Sequence, residues 1–127
     1  MTENSAGAPG PADRRKTLIN DYKQRKIIGG VFKVTNTVTG RYLLDSAADI
    51  QARQNAFNFS VTTNNAFDYK MRKDWQESGA GVFKFEVLDS IEKKESQSRE
   101  QFMEDLKTLE QIWMEKSDAS KRYYLVE

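Results

Sequence analysis

Apolar and polar positions along this chain follow a strand pattern from residue 30 and a helix pattern from residue 46. Residues 30–35 are rich in β-branched and aromatic side chains, residues 36–40 are typical of a turn, and residues 41–45 are largely apolar again. This order predicts a β-hairpin. Residues 46–49 have the Ser-x-x-acid form of a helix N-cap, and apolar side chains follow at helical spacing, which predicts a helix after the hairpin.

Two further segments complete the pattern in the middle of the chain. Residues 58–64 are polar, so we expect a loop there, with Asn64 as the cap of the next helix. The bulky side chains that recur at every fourth position of that helix predict a face in the core: Phe67, Met71 and Trp75. In residues 82–88 apolar side chains alternate with charged ones, which predicts a third strand.

A long helix is expected to begin between residues 93 and 98 and to end near residue 116. It carries a stripe of four apolar side chains that must pack against the sheet or against a partner: Phe102, Leu106, Leu109 and Trp113. The predicted fold class is α/β, a small three-stranded, mainly antiparallel sheet flanked by helices. Its predicted strands are residues 30–35, 41–45 and 82–88.

The N-terminal part of the chain differs in composition from the rest. Residues 1–12 contain both prolines and predict a disordered tail, which leaves residues 13–127 as a single domain. A helix is expected from Asp13, and residues 1–26 carry a net charge of +3, six basic minus three acidic. Either a solvated helix face or an arm that contacts phosphates fits its basic side chains: Arg14, Arg15, Lys16, Lys23, Arg25 and Lys26.

Composition excludes several kinds of chemistry. The 127 residues include no cysteine and no histidine, which excludes disulfides, Cys/His zinc sites, thiol nucleophiles and imidazole catalysis. Any metal would therefore need oxygen ligands. The net charge of +1 indicates no global field that attracts nucleic acid, so a basic surface must be local. Apolar runs are too short for a membrane span or a signal peptide, and we expect a cytoplasmic protein without a membrane partner.

The spacing of residues 29–53 resembles that of the GIY-YIG nuclease domains. In that family a Gly-Ile-Tyr strand leads through a hairpin to a Tyr-Ile-Gly strand, and an arginine lies on the following helix. Gly30, the turn at residues 36–40 and Arg53 match this arrangement. A second match lies in residues 73–88, where a helix ends near glycine and a Phe-x-Phe-x-Val-Leu strand follows. The resemblance covers about residues 29–104 and implies a GIY-YIG-like fold.

The motif residues themselves depart from the family at several positions. Phe32 and Leu43 stand at the two tyrosine positions, Asp45 stands at the position of the glycine, and Phe57 stands where many members have a histidine. The Glu-x-aromatic-aromatic pattern that begins with the metal-binding glutamate of the family has its counterpart at Glu100.

The resemblance implies a role for each matching residue. Arg53 would stabilise the charge on a phosphate in the transition state, and Glu100 would hold Mg²⁺ or Mn²⁺ if the domain is active. Phe32 and Leu43 are degenerate tyrosine positions, because neither side chain can accept a proton. The favoured interpretation is a domain that has lost the full nuclease apparatus, needs no cofactor and retains weak nucleic-acid binding.

Two other functions stay open at this stage. One is an active, divalent-metal-dependent DNA endonuclease with a rearranged site. The other is a protein-interaction module that forms a homodimer through the apolar stripe of the long helix. At the residue level, an i, i+4 salt bridge between Arg53 and Asp49 is an equal alternative to a phosphate contact. Glu100 lies about 200° from Phe102 on a helical wheel, which also fits a solvated glutamate. Tyr42 is expected to point away from the face of Leu43.

Overall fold

The computed structural model describes residues 26–123 and contains the predicted three-stranded sheet. Its strands are β1 (Ile28–Asn36), β2 (Tyr42–Ala47) and β3 (Phe83–Glu92). β1 lies in the centre and pairs antiparallel with both neighbours, in the order β2-β1-β3. The predicted α/β class is therefore confirmed, with strands that are longer than expected.

Within residues 26–123, three helices flank the sheet. They are α1 (Ile50–Thr63), α2 (Arg72–Ser78) and α3 (Arg99–Glu115), and short 3₁₀ turns lie at Tyr69–Met71, Ala80–Val82 and Ala119–Lys121. α3 begins where the sequence predicted, behind a capping box in which Ser98 accepts from the backbone N–H of Gln101 and the Gln101 side chain accepts from the N–H of Ser98. No helix in this part of the chain is long and apolar enough to cross a bilayer.

Two boundary predictions for α1 were wrong. Ser46 does not begin the helix, because it pairs with Val31 in the sheet; the N-cap is Asp49, whose carboxylate accepts from the N–H of Ala52. Residues 58–63 are not a loop, since α1 continues through them to Thr63. Asn64 caps the C-terminus of α1 rather than the start of the next helix, with the left-handed φ of 56° that asparagine tolerates.

The alternation along the strands creates two apolar faces. One, the Phe32 face, carries Phe32, Val34 and Leu43 and is covered by α1 and α2 through Phe57, Met71 and Trp75. The other, the Tyr42 face, carries Val31, Tyr42 and Leu44 and is covered by α3. Tyr42 and Leu43 thus point to opposite faces, as strand geometry requires.

The apolar stripe of α3 packs on the sheet of its own chain. Phe102 and Leu106 are buried, and an added Cβ on Gly29 would lie 2.9 Å from the ring of Phe102. Leu109 and Trp113 pack against the Tyr42 face. A homodimer through these four side chains would therefore have to displace the sheet.

Candidate functional site

Phe32 and Leu43, the two degenerate tyrosine positions, belong to the same core cluster. Phe32 is fully buried and Leu43 is 3% exposed. The ring of Phe32 stacks on Phe85 with centroids 5.1 Å apart and meets the ring of Phe67 edge-on at 6.0 Å. Aromatic packing therefore fills the place at which the family resemblance implies an ionisable phenol.

Arg53 lies above this aromatic cluster. α1 begins directly after β2, and this short connection places Arg53 over the Phe32 face, four residues after the N-cap Asp49. Its guanidinium carbon is 4.4 Å from the ring centroid of Phe67 and 5.6 Å from that of Phe32. These are cation–π distances, at which the ring face attracts the positive charge. Arg53 is only half-buried, so the residue as a whole is not sealed in the core.

The salt bridge between Arg53 and Asp49 does not form. The Asp49 carboxylate instead accepts from the N–H of Ala52 at 3.0 Å, and the ion pairs between the described side chains do not include Arg53. Among residues 26–123, the guanidinium of Arg53 therefore contacts aromatic ring faces and forms no ion pair.

Glu100 and Arg53 lie on helices that cover different faces of the sheet. Glu100 is exposed in the first turn of α3, and α3 covers the Tyr42 face whereas α1 covers the Phe32 face. Both helices begin at the same end of the sheet, because α1 follows Ala47 and the first turns of α3 pack by Gly29. The structure thus brings Arg53 together with Phe32 and Phe67 but does not bring Glu100 onto that face.

Glu100 does not belong to a cluster of acidic side chains in the described part of the chain. Among residues 26–123 no three acidic side chains lie close enough to hold an ion. A carboxylate in the first turn of a helix also has a structural role, since it faces the positive end of the helix dipole. Glu100 alone would supply a single carboxylate to Mg²⁺ or Mn²⁺, and the assignment of a cation to it stays a prediction.

Of the predicted basic residues only Lys26 is described, and it is exposed at the beginning of the chain that the structure covers. The other five lie outside the described residues: Arg14, Arg15, Lys16, Lys23 and Arg25.

A polar cleft of about 340 Å³ lies at the connection between α1 and α2. Its wall includes the amides of Asn65 and Gln76, the exposed ring of Tyr69 and the side chain of Arg72. Trp75 also lines it, and the indole N–H of Trp75 is buried without an acceptor among the described residues. Donors and an exposed ring are the groups that contact phosphates and bases. The sequence did not predict this cleft, because the residues that line it follow no motif with a recognisable spacing.

A buried polar network at the hairpin end of β1 was also missed. Asn36 donates to the hydroxyl of Tyr123 at 3.2 Å, and that hydroxyl donates to Asp74 at 2.6 Å. Arg41 lies 3.8 Å from Asp74 and over the Tyr123 ring. Burial and then the bond to Asp74 raise the pKa of Tyr123 to about 12, so its phenol is a donor and not a base at neutral pH. The network ties the C-terminal segment to the hairpin.

Comparison with solved structures agrees with this architecture. The catalytic domain of the homing endonuclease I-TevI superposes with a TM-score of 0.55 at 15% identity, covering 78% of this chain and 99% of that one. A mutant of the catalytic domain of the same intron endonuclease gives a TM-score of 0.56 at 15% identity, covering 79% and 95%. No protein-family model matches the sequence, and no curated protein matches it significantly.

This likeness defines the class of the fold. The chain has an α/β fold with the three-stranded antiparallel sheet and flanking helices of the I-TevI catalytic domain. This architecture agrees with the fold that the spacing of the motif positions implies, whereas membership of the GIY-YIG family stays a prediction.

Proposed function

We propose that this chain is a nucleic-acid-binding domain on a nuclease-like fold whose hydrolytic site is degenerate. The observation that carries the proposal is the packing of Phe32 and Leu43, which are buried in one apolar cluster at the positions of the two motif tyrosines. A buried hydrocarbon can neither accept a proton nor approach a water molecule. Arg53 remains above this cluster and is only half-buried.

Loss of the proton acceptor lowers the rate of hydrolysis by an amount that general principles bound. General-base assistance contributes about 10²–10⁴-fold to reactions of this kind. The chain contains no histidine that could replace the phenol. Glu100 is exposed on α3, the helix that covers the other face of the sheet, so its side chain offers no substitute for the phenol on the Phe32 face. We therefore expect feeble turnover or none.

Nucleic-acid binding does not need these missing groups. The guanidinium groups of Arg53 and Arg72 can contact phosphates, and the exposed ring of Tyr69 can stack on an unpaired base. Lys26 and the basic residues that precede it would add phosphate contacts. Contacts of this type carry no base-reading pattern, so the binding is weak, independent of sequence and strongly dependent on salt.

The hydrolytic part of the proposal is tested by plasmid nicking. We expect the protein with Mg²⁺ or Mn²⁺ to leave supercoiled plasmid intact over hours, and Glu100→Ala to behave identically. The matched control is Glu104→Ala, one helical turn further along the exposed side of α3. Brisk metal-dependent nicking that Glu100→Ala abolishes and Glu104→Ala preserves would overturn the proposal in favour of an active endonuclease.

The binding part is tested by fluorescence anisotropy with short duplex and single-stranded DNA at increasing salt. Arg53→Gln keeps the stem that lies on the rings but removes the charge, so we expect weaker binding and a salt slope smaller by about 1. Lys107→Gln, an exposed cation on α3 at the other face, is the control and should have little effect. Absence of binding by the parent protein even at low ionic strength would contradict nucleic-acid recognition.

A further inference from the structure

The polar cleft at the connection between α1 and α2 lies beside a tight reversal of the chain. α1 ends at Asn64, whose left-handed φ of 56° turns the chain back, and the N–H of Asn65 donates to the last turn of α1 at 3.0 Å. The carboxylate of Asp68 accepts from the N–H of Lys70 at 2.9 Å and caps the 3₁₀ turn that carries Tyr69. Local hydrogen bonds thus fix the backbone on this side of the cleft.

α2 forms the other side of the cleft. Arg72, Trp75 and Gln76 are three or four residues apart from one another or adjacent, and they therefore share one face of the helix. Trp75 is 2% exposed, and its ring stacks on Phe83 with centroids 4.6 Å apart, which fixes its position. The cleft therefore has a preformed wall in which an indole lies beside a guanidinium and an amide.

The side chains that line the cleft carry one positive charge and no negative charge. The positive charge belongs to Arg72, which forms no ion pair with a described residue. The side-chain amides of Asn64, Asn65 and Gln76 form no hydrogen bond within the described part of the chain. An amide both donates and accepts, as the edge of a base does, and a guanidinium pairs with a phosphate. The lining thus suits a ligand with one anionic group and a mixed polar edge.

Tyr69 adds an exposed aromatic face to this lining. It is 58% exposed, and it takes no part in the ring contacts of the described aromatic side chains. Stacking of one base on an aromatic ring raises affinity by about tenfold. Bases inside a duplex are covered on both faces by their neighbours, so only an unpaired base can offer a face to such a ring.

The volume of the cleft limits the ligand to about one nucleotide. It is about 340 Å³, near the lower end of the roughly 300–1,000 Å³ of clefts that hold small ligands. Arg53 lies on α1 eleven residues before Asn64, which corresponds to roughly 16 Å along the helix axis. The cleft is therefore a contact point separate from the guanidinium of Arg53.

We propose that this cleft binds one unpaired nucleotide of a nucleic-acid strand. Its base stacks on Tyr69, its phosphate contacts Arg72, and the side-chain amides contact the edge of the base. The inference rests on the proposed nucleic-acid binding and adds the substrate class, a strand with an unpaired end or a single-stranded stretch rather than a blunt duplex. A free nucleotide has the same chemistry, so the experiments below treat the two sources separately.

Fluorescence anisotropy with three matched DNA ligands tests the preference. They are a blunt duplex, the same duplex with a single-stranded overhang, and that overhang with abasic sites in place of its nucleotides. We expect the overhang to bind about tenfold more tightly than the blunt duplex, and the abasic overhang, which keeps the phosphates, to lose most of this gain. Equal affinity for all three would overturn the inference and leave the proposed nucleic-acid binding intact.

Two variants with matched controls assign the preference to the cleft. Tyr69→Ala should remove the gain from the overhang, whereas Tyr69→Phe should retain it because the ring still stacks. Phe59→Ala is the control, since Phe59 is 67% exposed on α1 but does not line the cleft. Arg72→Gln should reduce the gain several-fold and the salt slope by about 1, whereas Lys73→Gln, exposed at the next position of α2, should leave the gain unchanged. A gain that survives either cleft variant would overturn the inference.

A free nucleotide separates the cleft from strand binding. When dAMP is added at millimolar concentration, the NMR signal of the indole N–H of Trp75 should shift and that of Trp113, against the Tyr42 face, should not. An overhang preference without this shift supports the inference, with the nucleotide bound only as part of a strand. A shift without an overhang preference assigns the cleft to a free nucleotide and overturns its role in strand binding. If that protein also binds no DNA, the proposed function fails as well.

Discussion

At the scale of single residues, Gly30 is constrained by the neighbouring strand. A Cβ at this position would run into the carbonyl oxygen of Asp89 and would lie 3.2 Å from the Cα of Ser90, both backbone atoms that cannot rotate away. We expect Gly30→Ala to lower the free energy of unfolding by about 1–3 kcal/mol, the usual cost of overpacking, or by more if β1 and β3 separate. Urea denaturation followed by circular dichroism measures this change.

The matched control for Gly30 is Gly81. No atom lies within 4 Å of a Cβ built there, and its φ is not in the left-handed region. Gly81→Ala should therefore be neutral or slightly stabilising, because alanine reduces the entropy of the unfolded chain. Equal stability of the two variants would show that β3 shifts to make room, and would refute the close approach at Gly30.

At the scale of elements, one buried polar bond links α3 to β2. Glu110 is buried on the sheet side of α3, and its carboxylate accepts from the hydroxyl of Ser46 at 2.7 Å. Ser46→Ala leaves this carboxylate without a donor among the described residues, so we expect a loss of about 1–3 kcal/mol in the free energy of unfolding. Thermal and urea unfolding of the variant check this.

The double variant tests the origin of that loss. If the cost arises from the unpaired carboxylate, Glu110→Leu added to Ser46→Ala should recover much of the stability, because apolar groups need no partner. No recovery in the double variant would mean that the hydroxyl of Ser46 acts through packing or that α3 shifts when the bond is lost.

At the scale of the whole molecule, both apolar faces share the central strand β1. The two tryptophans of the chain report on different faces, Trp75 in the cluster of Phe32 and Trp113 against the cluster of Tyr42. Because neither face can keep its helices without β1, we expect one cooperative transition. Leu106→Ala on α3 should lower stability by about 2–5 kcal/mol and shift both reporters together.

Single-tryptophan backgrounds make this measurement specific. Fluorescence of Trp75 is read in Trp113→Phe, and that of Trp113 in Trp75→Phe, with Leu106→Ala introduced into each. A Trp113 transition that moves to lower urea while the Trp75 transition stays in place would show that the two faces unfold separately, and would contradict a single cooperative unit.

Much of the fold followed from local sequence patterns. The strands and the long helix were predicted because apolar spacing of two or of three and four residues depends only on backbone geometry. The stripe from Phe102 to Trp113 and the start of α3 after Ser98 were therefore predicted correctly. The boundaries of α1 were not, since Ser46 is paired in the sheet and the helix continues through the polar residues 58–63.

The candidate site was predictable in part. Sequence spacing placed Arg53 on the helix after the hairpin and Phe32 and Leu43 on one face of the sheet, because strand alternation and helix rise are local. The ring of Phe67, which lies under the guanidinium of Arg53, comes from a later segment whose position depends on how the chain returns to the sheet.

The sequence by itself determined the period of each element, the apolar content of both faces and the absence of imidazole and thiol groups. Only the tertiary structure decided which side of the sheet each helix covers, and it thereby put the helix of Glu100 and the helix of Arg53 on different faces. It also joined Asn36 to Asp74 and Tyr123, across 38 and 87 residues. Such contacts join segments that are distant in sequence. Hydrophobic periodicity does not predict them, because it specifies the face that a residue occupies and not the partner that it contacts.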